Sequence, residues 1–151
     1  MKSIFTAFAV AGLGLVSNLQ AEEVDKKITV TCNDTMKFDT AEITAKVGET
    51  VSITVKNVGN LPKVAMGHNI VILKPGTEPM GFAGKCVATK DTTGLPADEA
   101  DMKLVVASSK MLGPGEEETI TFEAPAVGEY PFICTFPGHA ALMKGVLKVG
   151  E

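Results

Sequence analysis

The stretch CTFPGHAALM occupies residues 134–143 and places a thiol, an imidazole and a thioether within ten residues. Four residues separate Cys134 from His139, and three separate His139 from Met143. Thiolates, imidazoles and thioethers are soft or borderline ligands, so this set favours copper over magnesium or calcium, which prefer oxygen. A type 1 copper site uses one Cys, two His and a weakly bound Met. The stretch therefore predicts such a site if the chain supplies a second histidine.

That second histidine is His68, because the sequence contains only two histidines. Taken separately, each candidate ligand has a commoner explanation: a lone His is usually packed or exposed, a buried Cys is usually inert, and a Met often fills a core gap. The joint spacing of Cys134, His139 and Met143, together with His68, outweighs these separate explanations. Gly67 lacks a Cβ, so the backbone before His68 can approach a metal closely, and a backbone oxygen sometimes serves as a weak axial ligand.

Alternating apolar and polar residues predict short strands along most of the chain. They fall near residues 28–32, 51–55, 120–122 and 130–134, with further strands at 36–38, 42–46, 68–73, 103–107 and 145–149. Many short strands separated by Gly and Pro turns predict an all-β sandwich or barrel. Residues 74–103 are too rich in Gly and Pro for regular strand, and residues 96–101 fit a short helix that begins near a proline.

The N-terminus has the features of a secretory signal peptide. Lys2 precedes an uncharged apolar run at residues 4–16, and a small residue, Ala21, stands before two glutamates. The run is shorter than the roughly 20 residues that span a membrane, which disfavours an uncleaved anchor. We therefore expect residues 1–21 to be removed on export to the periplasm, leaving one domain at residues 22–151 with no stable membrane insertion.

Charge and cysteine content limit the remaining function classes. The formal net charge is −4 and no basic stripe is present, so nucleic acid is not an expected partner. An exported protein can contain disulfides, and the chain has two cysteines in addition to Cys134, namely Cys32 and Cys86. The sequence leaves two alternatives open, a disulfide between Cys32 and Cys86 or two separate thiols.

Four motifs carry a resemblance to a known family: NDTMKF at 33–38, GNLPK at 59–63, GHN at 67–69 and CTFPGHAALMKG at 134–145. They resemble azurin and the azurin-like auracyanins, blue copper proteins of the cupredoxin family. The resemblance covers nearly all of the expected mature chain and is weakest over residues 74–103. It implies a Greek-key β-sandwich or barrel with a short helical flap insertion around residues 75–102. The N-terminal disulfide usual in azurins is not implied, since Cys32 and Cys86 do not match both of its positions.

The resemblance also assigns roles to individual residues. His68, Cys134 and His139 would be the in-plane ligands of one type 1 copper ion, with Met143 and the Gly67 carbonyl as long axial contacts. The ligands would be supported by neighbouring residues, which are Asn69, Thr135 and Phe136. An apolar docking patch for partner proteins would comprise Met36, Leu61, Ala65, Phe136, Gly138 and Ala141.

The implied function is that of a periplasmic carrier, acting as a monomer, which shuttles one electron between redox partners. Those partners would be redox proteins such as c-type cytochromes or a terminal reductase or oxidase, docked transiently. The alternative is a protein for copper transfer or storage, although its methionines are dispersed rather than clustered. Enzymatic alternatives are disfavoured: a Cys/His hydrolase needs an oxyanion arrangement that is not identifiable, and a catalytic copper would need further histidines.

Overall fold

The computed structural model describes residues 23–88 and 93–151, which form two mixed sheets and short helices. The first sheet has the order β2 (Lys37–Phe38), β1 (Lys26–Asn33), β4 (Thr50–Asn57) and β7 (Glu117–Glu123). The second has the order β3 (Glu42–Lys46), β9 (Lys144–Gly150), β8 (Gly128–Ile133), β5 (Val71–Leu73) and β6 (Val105–Ser108). The prediction of an all-β sandwich is confirmed.

Strand pairing is antiparallel except at two places. β1 runs parallel to β4, and β3 runs parallel to β9. These two parallel pairs connect segments that are distant in sequence, so each sheet is assembled from separate parts of the chain. The two sheets enclose the largest apolar cluster, to which strands such as β3 contribute alternate, inward-facing residues. Ile43 and Ala45 of β3 and Val51, Ile53 and Val55 of β4 belong to this core.

The helices lie in the connections between strands. α1 (Lys63–Met66) precedes β5, and both α2 (Pro79–Ala88) and α3 (Glu99–Met102) lie between β5 and β6. A single 3₁₀ turn covers His139–Ala141. The expected helical flap around residues 75–102 is therefore confirmed, and α3 overlaps the short helix expected at 96–101. Its N-cap is Asp98, whose side chain accepts hydrogen bonds from the backbone N–H groups of Ala100 and Asp101.

The flap contains more regular structure than the sequence suggested. α2 is ten residues long despite Pro79, Gly81 and Gly84. Pro79 is its first residue, where a missing N–H costs nothing. The Glu78 carboxylate accepts hydrogen bonds from the backbone N–H groups of Met80 and Gly81, which have no partner within the helix. Among the described residues, no helix is both long and apolar enough to cross a membrane. The predicted signal peptide, residues 1–21, lies outside the described residues.

The strand expected at 68–73 is shorter in the structure and covers only Val71–Leu73. His68 instead makes an isolated bridge with Leu112, in which each backbone N–H donates to the other carbonyl, at 3.0 and 2.7 Å. The apolar run from Ile70 to Leu73 is fully buried, so its sequence shows no alternation that would mark where the strand begins.

The structure does not join Cys32 and Cys86 in a disulfide. The physical reason is their separation into different clusters. Cys32 packs with Cys134 and Met143 near the first sheet, whereas Cys86 on α2 packs beneath the flap against the second sheet. The Sγ of Cys32 lies 3.5 Å from the carbonyl oxygen of Lys56, to which it donates.

Candidate metal centre

Cys134 and Met143 lie at the two ends of a loop that joins neighbouring strands. β8 ends at Ile133 and β9 begins at Lys144, and these two residues are paired in the antiparallel ladder. The Cys134 N–H donates to the Met143 carbonyl at 3.0 Å, which extends the pairing by one further step. The strand therefore ends one residue before Cys134, and its backbone is still fixed by the sheet.

The turn within this loop brings His139 onto the same side as Met143. Gly138 has a φ of +83°, which a residue without a Cβ adopts at little cost. After it the chain turns, and the N–H of Met143 donates to the carbonyl of His139 at 2.8 Å. This is the spacing of one helical turn, so residues four apart face the same side.

The three nitrogen and sulfur ligands predicted from the sequence meet at one point. Their ligand atoms in His68, Cys134 and His139 all lie within 4.8 Å of one another, and all three residues are buried. Cys134 Sγ lies 3.7 Å from His139 Nδ1. Bonds of about 2.0–2.3 Å to one ion would place such donors about 3.5–4 Å apart, so the spacing fits a single metal ion.

Met143 belongs to the same buried group. Its side chain is fully buried and lies in a cluster with Cys134 and Cys32, bordered by Phe38 and Phe136. The structure thus places the thioether beside the ligand thiol. Its axial role, like that of the Gly67 carbonyl, remains a prediction.

The state of His68 shows that the residues present fit a metal. Both ring nitrogens are buried and, among the described residues, neither has a hydrogen-bond partner. A buried polar group without a partner is costly, and a bound metal ion removes that cost at one nitrogen. The imidazole rings of His68 and His139 are 5.0 Å apart between centroids, so the two rings are neighbours in the ligand cluster.

Burial also keeps both imidazoles in the neutral form that binds metals. It lowers the pKa of His139 to about 4, with a further lowering by the neighbouring His68. Burial likewise lowers the pKa of His68, although the carboxylate of Asp34 and the nearby backbone of Asn33 oppose this change. At neutral pH both imidazoles are therefore unprotonated, and each can offer a nitrogen lone pair to a metal.

The Cys134 thiol has two opposing influences. Burial raises its pKa, the backbone N–H groups of Asn69 and Phe136 favour the thiolate and lower it, and the net pKa is about 11. A bound cation would supply the remaining stabilisation, since metals deprotonate coordinating thiols. The two N–H groups are therefore placed to support a thiolate ligand.

Asn69 holds the two ligand-bearing segments together. Its side-chain amide donates to Thr135 Oγ1 at 2.8 Å and accepts from the Thr135 backbone N–H at 2.8 Å. Both residues are buried, and each neighbours a ligand, His68 and Cys134 respectively. Thr135 Oγ1 in turn donates to the carbonyl of Gly94 in the flap. Asn69 and Thr135 are thus hydrogen-bonded to each other next to two candidate ligands, and their role in supporting a metal remains a prediction.

The need for glycine at position 67 arises from packing. Gly67 has extended backbone angles that any residue adopts, with φ −69° and ψ 150°. A Cβ there would lie 2.8 Å from the carbonyl oxygen of Lys63 and 2.9 Å from Cγ of Met111. Close approach of neighbouring atoms therefore excludes a side chain at this position, while the expected approach of the Gly67 backbone to a metal remains a prediction.

The residues of the predicted docking patch differ in exposure. Leu61, Ala65, Gly138 and Ala141 are exposed, whereas Met36 and Phe136 are partly buried. His139 itself is only 3% exposed, so its edge lies just beneath the surface rather than open to it.

Two further residues near this surface were not included in the prediction. Val64 on α1 is 91% exposed, and Leu142 is 61% exposed. For Leu142 a signal existed, since adjacent residues of a turn point to different sides and Met143 faces inward. No spacing in the sequence marks Val64 as exposed.

Comparisons with known proteins agree with this geometry. A family model described as copper binding proteins, plastocyanin/azurin family, matches residues 24–150. The chain is 36% identical over 131 residues to azurin of Alcaligenes faecalis, covering 82% of this chain and 98% of that protein. The crystal structure of dithionite-reduced auracyanin from Roseiflexus castenholzii has a TM-score of 0.74 and 38% identity, covering 83% of this chain and 97% of that one.

A longer relative is also similar. Over 121 residues the chain is 45% identical to outer membrane protein H.8 of Neisseria meningitidis serogroup B, which covers 78% of this chain and 63% of that protein. The chain therefore spans less than two thirds of that relative's length. The family match, the two relatives matched over almost their whole length and the buried ligand cluster lead to the same conclusion. The chain belongs to the plastocyanin/azurin family of copper-binding proteins and is a blue copper protein, with copper as its cofactor at His68, Cys134 and His139.

Proposed function

We propose that this protein is an exported one-electron carrier that performs no chemistry on a substrate. The proposal rests on one observation. Three buried ligand atoms lie close together, and they come from two segments whose backbones are held by hydrogen bonds. Copper, when bound, supplies a couple between its two oxidation states. The protein's own contribution is to keep the ligands in nearly the same positions in both states, which reduces the rearrangement that accompanies electron transfer.

The ligand positions are supported from three directions. The ladder between β8 and β9 fixes Cys134, the bridge to Leu112 fixes His68, and the turn after Gly138 fixes His139. The amide of Asn69 then joins the two loops through Thr135. Because each ligand is fixed through backbone hydrogen bonds, little movement is available to it.

The surroundings of the ligands also favour electron transfer over substrate chemistry. His68 and Met143 are fully buried, and Cys134 is buried beside Met143 and Phe136. Such packing excludes water and large substrates from the ligand cluster. Low polarity and a weak thioether both favour the reduced, less highly charged state of the site.

The proposed exit for the electron is the surface above His139. Phe136 packs against the His139 ring at 4.5 Å between centroids. The exposed residues Leu61, Ala65 and Ala141 were predicted as docking residues, and we add Val64 and Leu142 to this docking patch on the basis of their exposure. Redox encounters bury little area, below about 1,200 Å², which suits rapid binding and release.

We further propose that residues 1–21 are a signal peptide and that residues 22–151 form one monomeric domain in the periplasm. Its partners would be c-type cytochromes or a terminal reductase or oxidase, which dock transiently. The support for export is the N-terminal sequence pattern described above.

The deciding experiment is the visible spectrum of purified protein after addition of Cu(II). We expect intense blue absorption, which arises from the Cys134 thiolate, and its loss in Cys134→Ser. Reversible one-electron voltammetry of the same sample then separates a carrier from a protein for copper transfer or storage. A colourless complex, or rapid loss of Cu(I) to a weak chelator without a reversible wave, would overturn the proposal.

A further inference from the structure

The side chain of Met111 lies against two glycines that belong to different parts of the chain. A Cβ added at Gly67 would lie 2.9 Å from Cγ and 3.1 Å from Sδ of Met111. A Cβ added at Gly94 would lie 2.7 Å from Cε of Met111. The thioether, from Cγ to Cε, therefore runs along both glycine backbones. Met111 is 8% exposed, so this contact lies in the interior.

Each glycine is connected to a copper ligand. Gly67 directly precedes His68, and the carbonyl of Gly94 accepts the hydrogen bond from Oγ1 of Thr135, the residue after Cys134. A Cβ at Gly94 would also come within 2.7 Å of Thr135 Oγ1. The Met111 side chain therefore fills the space between the segment that carries one ligand and the flap residue that restrains the other.

Met111 is itself fixed in place by its neighbour. Leu112 forms the two-way backbone bridge with His68, and its carbonyl also accepts a hydrogen bond from the side-chain amide of Asn57 at 3.2 Å. The backbone beside Met111 consequently has a set distance from His68. A side chain anchored in this way can keep the segments that it contacts at a fixed separation.

We propose that Met111 is a positioning residue for the metal centre, which holds the Gly67–His68 backbone and the Gly94–Thr135 contact at the spacing that the ligands require. The proposal rests on the proposed function, since it needs a copper site at His68. The thioether packs against the two glycines through its Cγ, Sδ and Cε atoms, so its volume carries the effect. Met111→Leu should therefore preserve the spacing of the ligands, whereas Met111→Ala should not.

The test compares Met111→Ala with Met111→Leu in the copper-loaded protein. Loss of a group that orients a metal ligand typically lowers metal affinity about 10–100-fold. We expect Met111→Ala to weaken Cu(II) binding at least about tenfold in a chelator competition and to change the absorption and EPR spectra. Met111→Leu should stay within about threefold of the original protein. Met80→Ala is the matched control, because Met80 is 51% exposed on α2.

A second readout uses the copper-free protein. The backbone N–H of Thr135 donates to Asn69 Oδ1, and that of His68 donates to the Leu112 carbonyl. We expect Met111→Ala to speed hydrogen exchange at these two amides about tenfold relative to Ile53 in the first sheet. Met111→Leu should not. If Met111→Ala does not fold, Met111→Val, which lacks the end of the thioether, carries the same expectations.

The two proposals fail in different ways. Absence of blue colour or of a reversible wave in the unaltered protein counts against the electron carrier, while amide exchange in the copper-free protein still reports on Met111. If the unaltered protein takes up copper normally, but the Ala and Val variants match it in affinity, spectra and amide exchange, then Met111 has no positioning role. Equal damage from Met111→Leu would likewise overturn the proposal, because volume would not be the cause.

Discussion

The backbone N–H of Cys134 donates to the carbonyl of Met143, so the first and last residues of the ligand loop are hydrogen-bonded to each other at 3.0 Å. The loop is therefore closed by a hydrogen bond within the backbone. Since Cys134, His139 and Met143 all lie in this loop, the closure restrains their relative positions, and we expect the copper-free protein to keep it.

Removal of copper should leave the fold intact and lower its thermal stability. Binding to the native state alone stabilises by about 4 kcal/mol at a thousand times the dissociation constant, which corresponds to a rise in Tm of about 10 °C or more for a domain of this size. Far-UV circular dichroism should be the same with and without copper. The variant Cys134→Ser serves as the control, since its Tm should respond much less to copper. An unfolded copper-free protein would contradict the closed loop described above.

Asn69→Leu should destabilise the copper-free protein. The substitution keeps a side chain of similar size but removes the acceptor of the buried Thr135 backbone N–H and the donor to its hydroxyl, which retains its hydrogen bond to Gly94. Two buried polar groups lose hydrogen bonds, so we expect a loss of about 2–4 kcal/mol in urea unfolding. Asn60→Leu is the control, because Asn60 is exposed and should change stability by less than about 0.5 kcal/mol. Similar losses in the two variants would argue against a bracing role for Asn69.

Gly145→Ala should be among the most damaging single-methyl changes. A Cβ at Gly145 on β9 would lie 2.2 Å from Cζ of Phe132 and 2.5 Å from the carbonyl oxygen of Ala41. Both a packed ring and a backbone atom must move, so we expect a loss of about 3 kcal/mol or more. Gly150→Ala, on the same strand, meets no atom within 4 Å and should be nearly neutral. Chemical unfolding of the two variants side by side measures the difference.

Glu116 should make stability depend on pH at acidic values. The backbone N–H of Gly113 and the ammonium of Lys63 hold the pKa of its carboxyl below the usual value. A lowered native pKa means that the ionised carboxylate stabilises the fold above the unfolded pKa, about 4.3. This contribution is lost as the pH falls through the native pKa.

Accordingly, Glu116→Gln should be less stable than the original protein at pH 7, and the difference should shrink below about pH 4. Thermal melts across this range, with Glu123→Gln as an exposed control, provide the measurement. A difference that stays constant with pH would show that the charge of Glu116 is not responsible.

Val64→Asp should slow electron exchange between two copies of the copper-loaded protein without altering the reduction potential. Val64 is 91% exposed on the proposed docking patch, and a charge there repels its counterpart on a second molecule. Each 1.4 kcal/mol of repulsion is tenfold, so we expect the exchange rate to fall at least about tenfold at low salt. The control is Val127→Asp, since Val127 is 57% exposed and precedes the end of β8 that is remote from Cys134. An equal effect from both variants would place docking elsewhere.

Sequence reasoning succeeded where neighbouring residues decide the outcome. The alternation in Glu42–Lys46 is strict, so its burial pattern follows directly from the period of a strand. The spacing of His139 and Met143 fits a single turn, and the structure has that turn. His68 could be identified because the chain contains only one other histidine.

Sequence reasoning failed where contacts between distant segments determine the structure. The fully buried run after His68 shows no alternation of apolar and polar residues. Nothing in the local sequence reveals that His68 pairs with Leu112 in an isolated bridge and not within a strand. Cys32 and Cys86 could not be assigned, because their states depend on which cluster each one enters. Met111 was missed for the same reason: its importance arises from Gly67 and Gly94, which are distant in sequence and adjacent only after folding.

The position of β9 has a consequence for folding. This strand, Lys144–Gly150, lies between β3 and β8, so the two parts of the second sheet stay separate until β9 has paired with both. Until then β3 lacks its partner, and the segment from Cys134 onward has nothing to close against. The ligand loop shares this dependence, because the carbonyl of Met143, which accepts the hydrogen bond from Cys134, directly precedes β9.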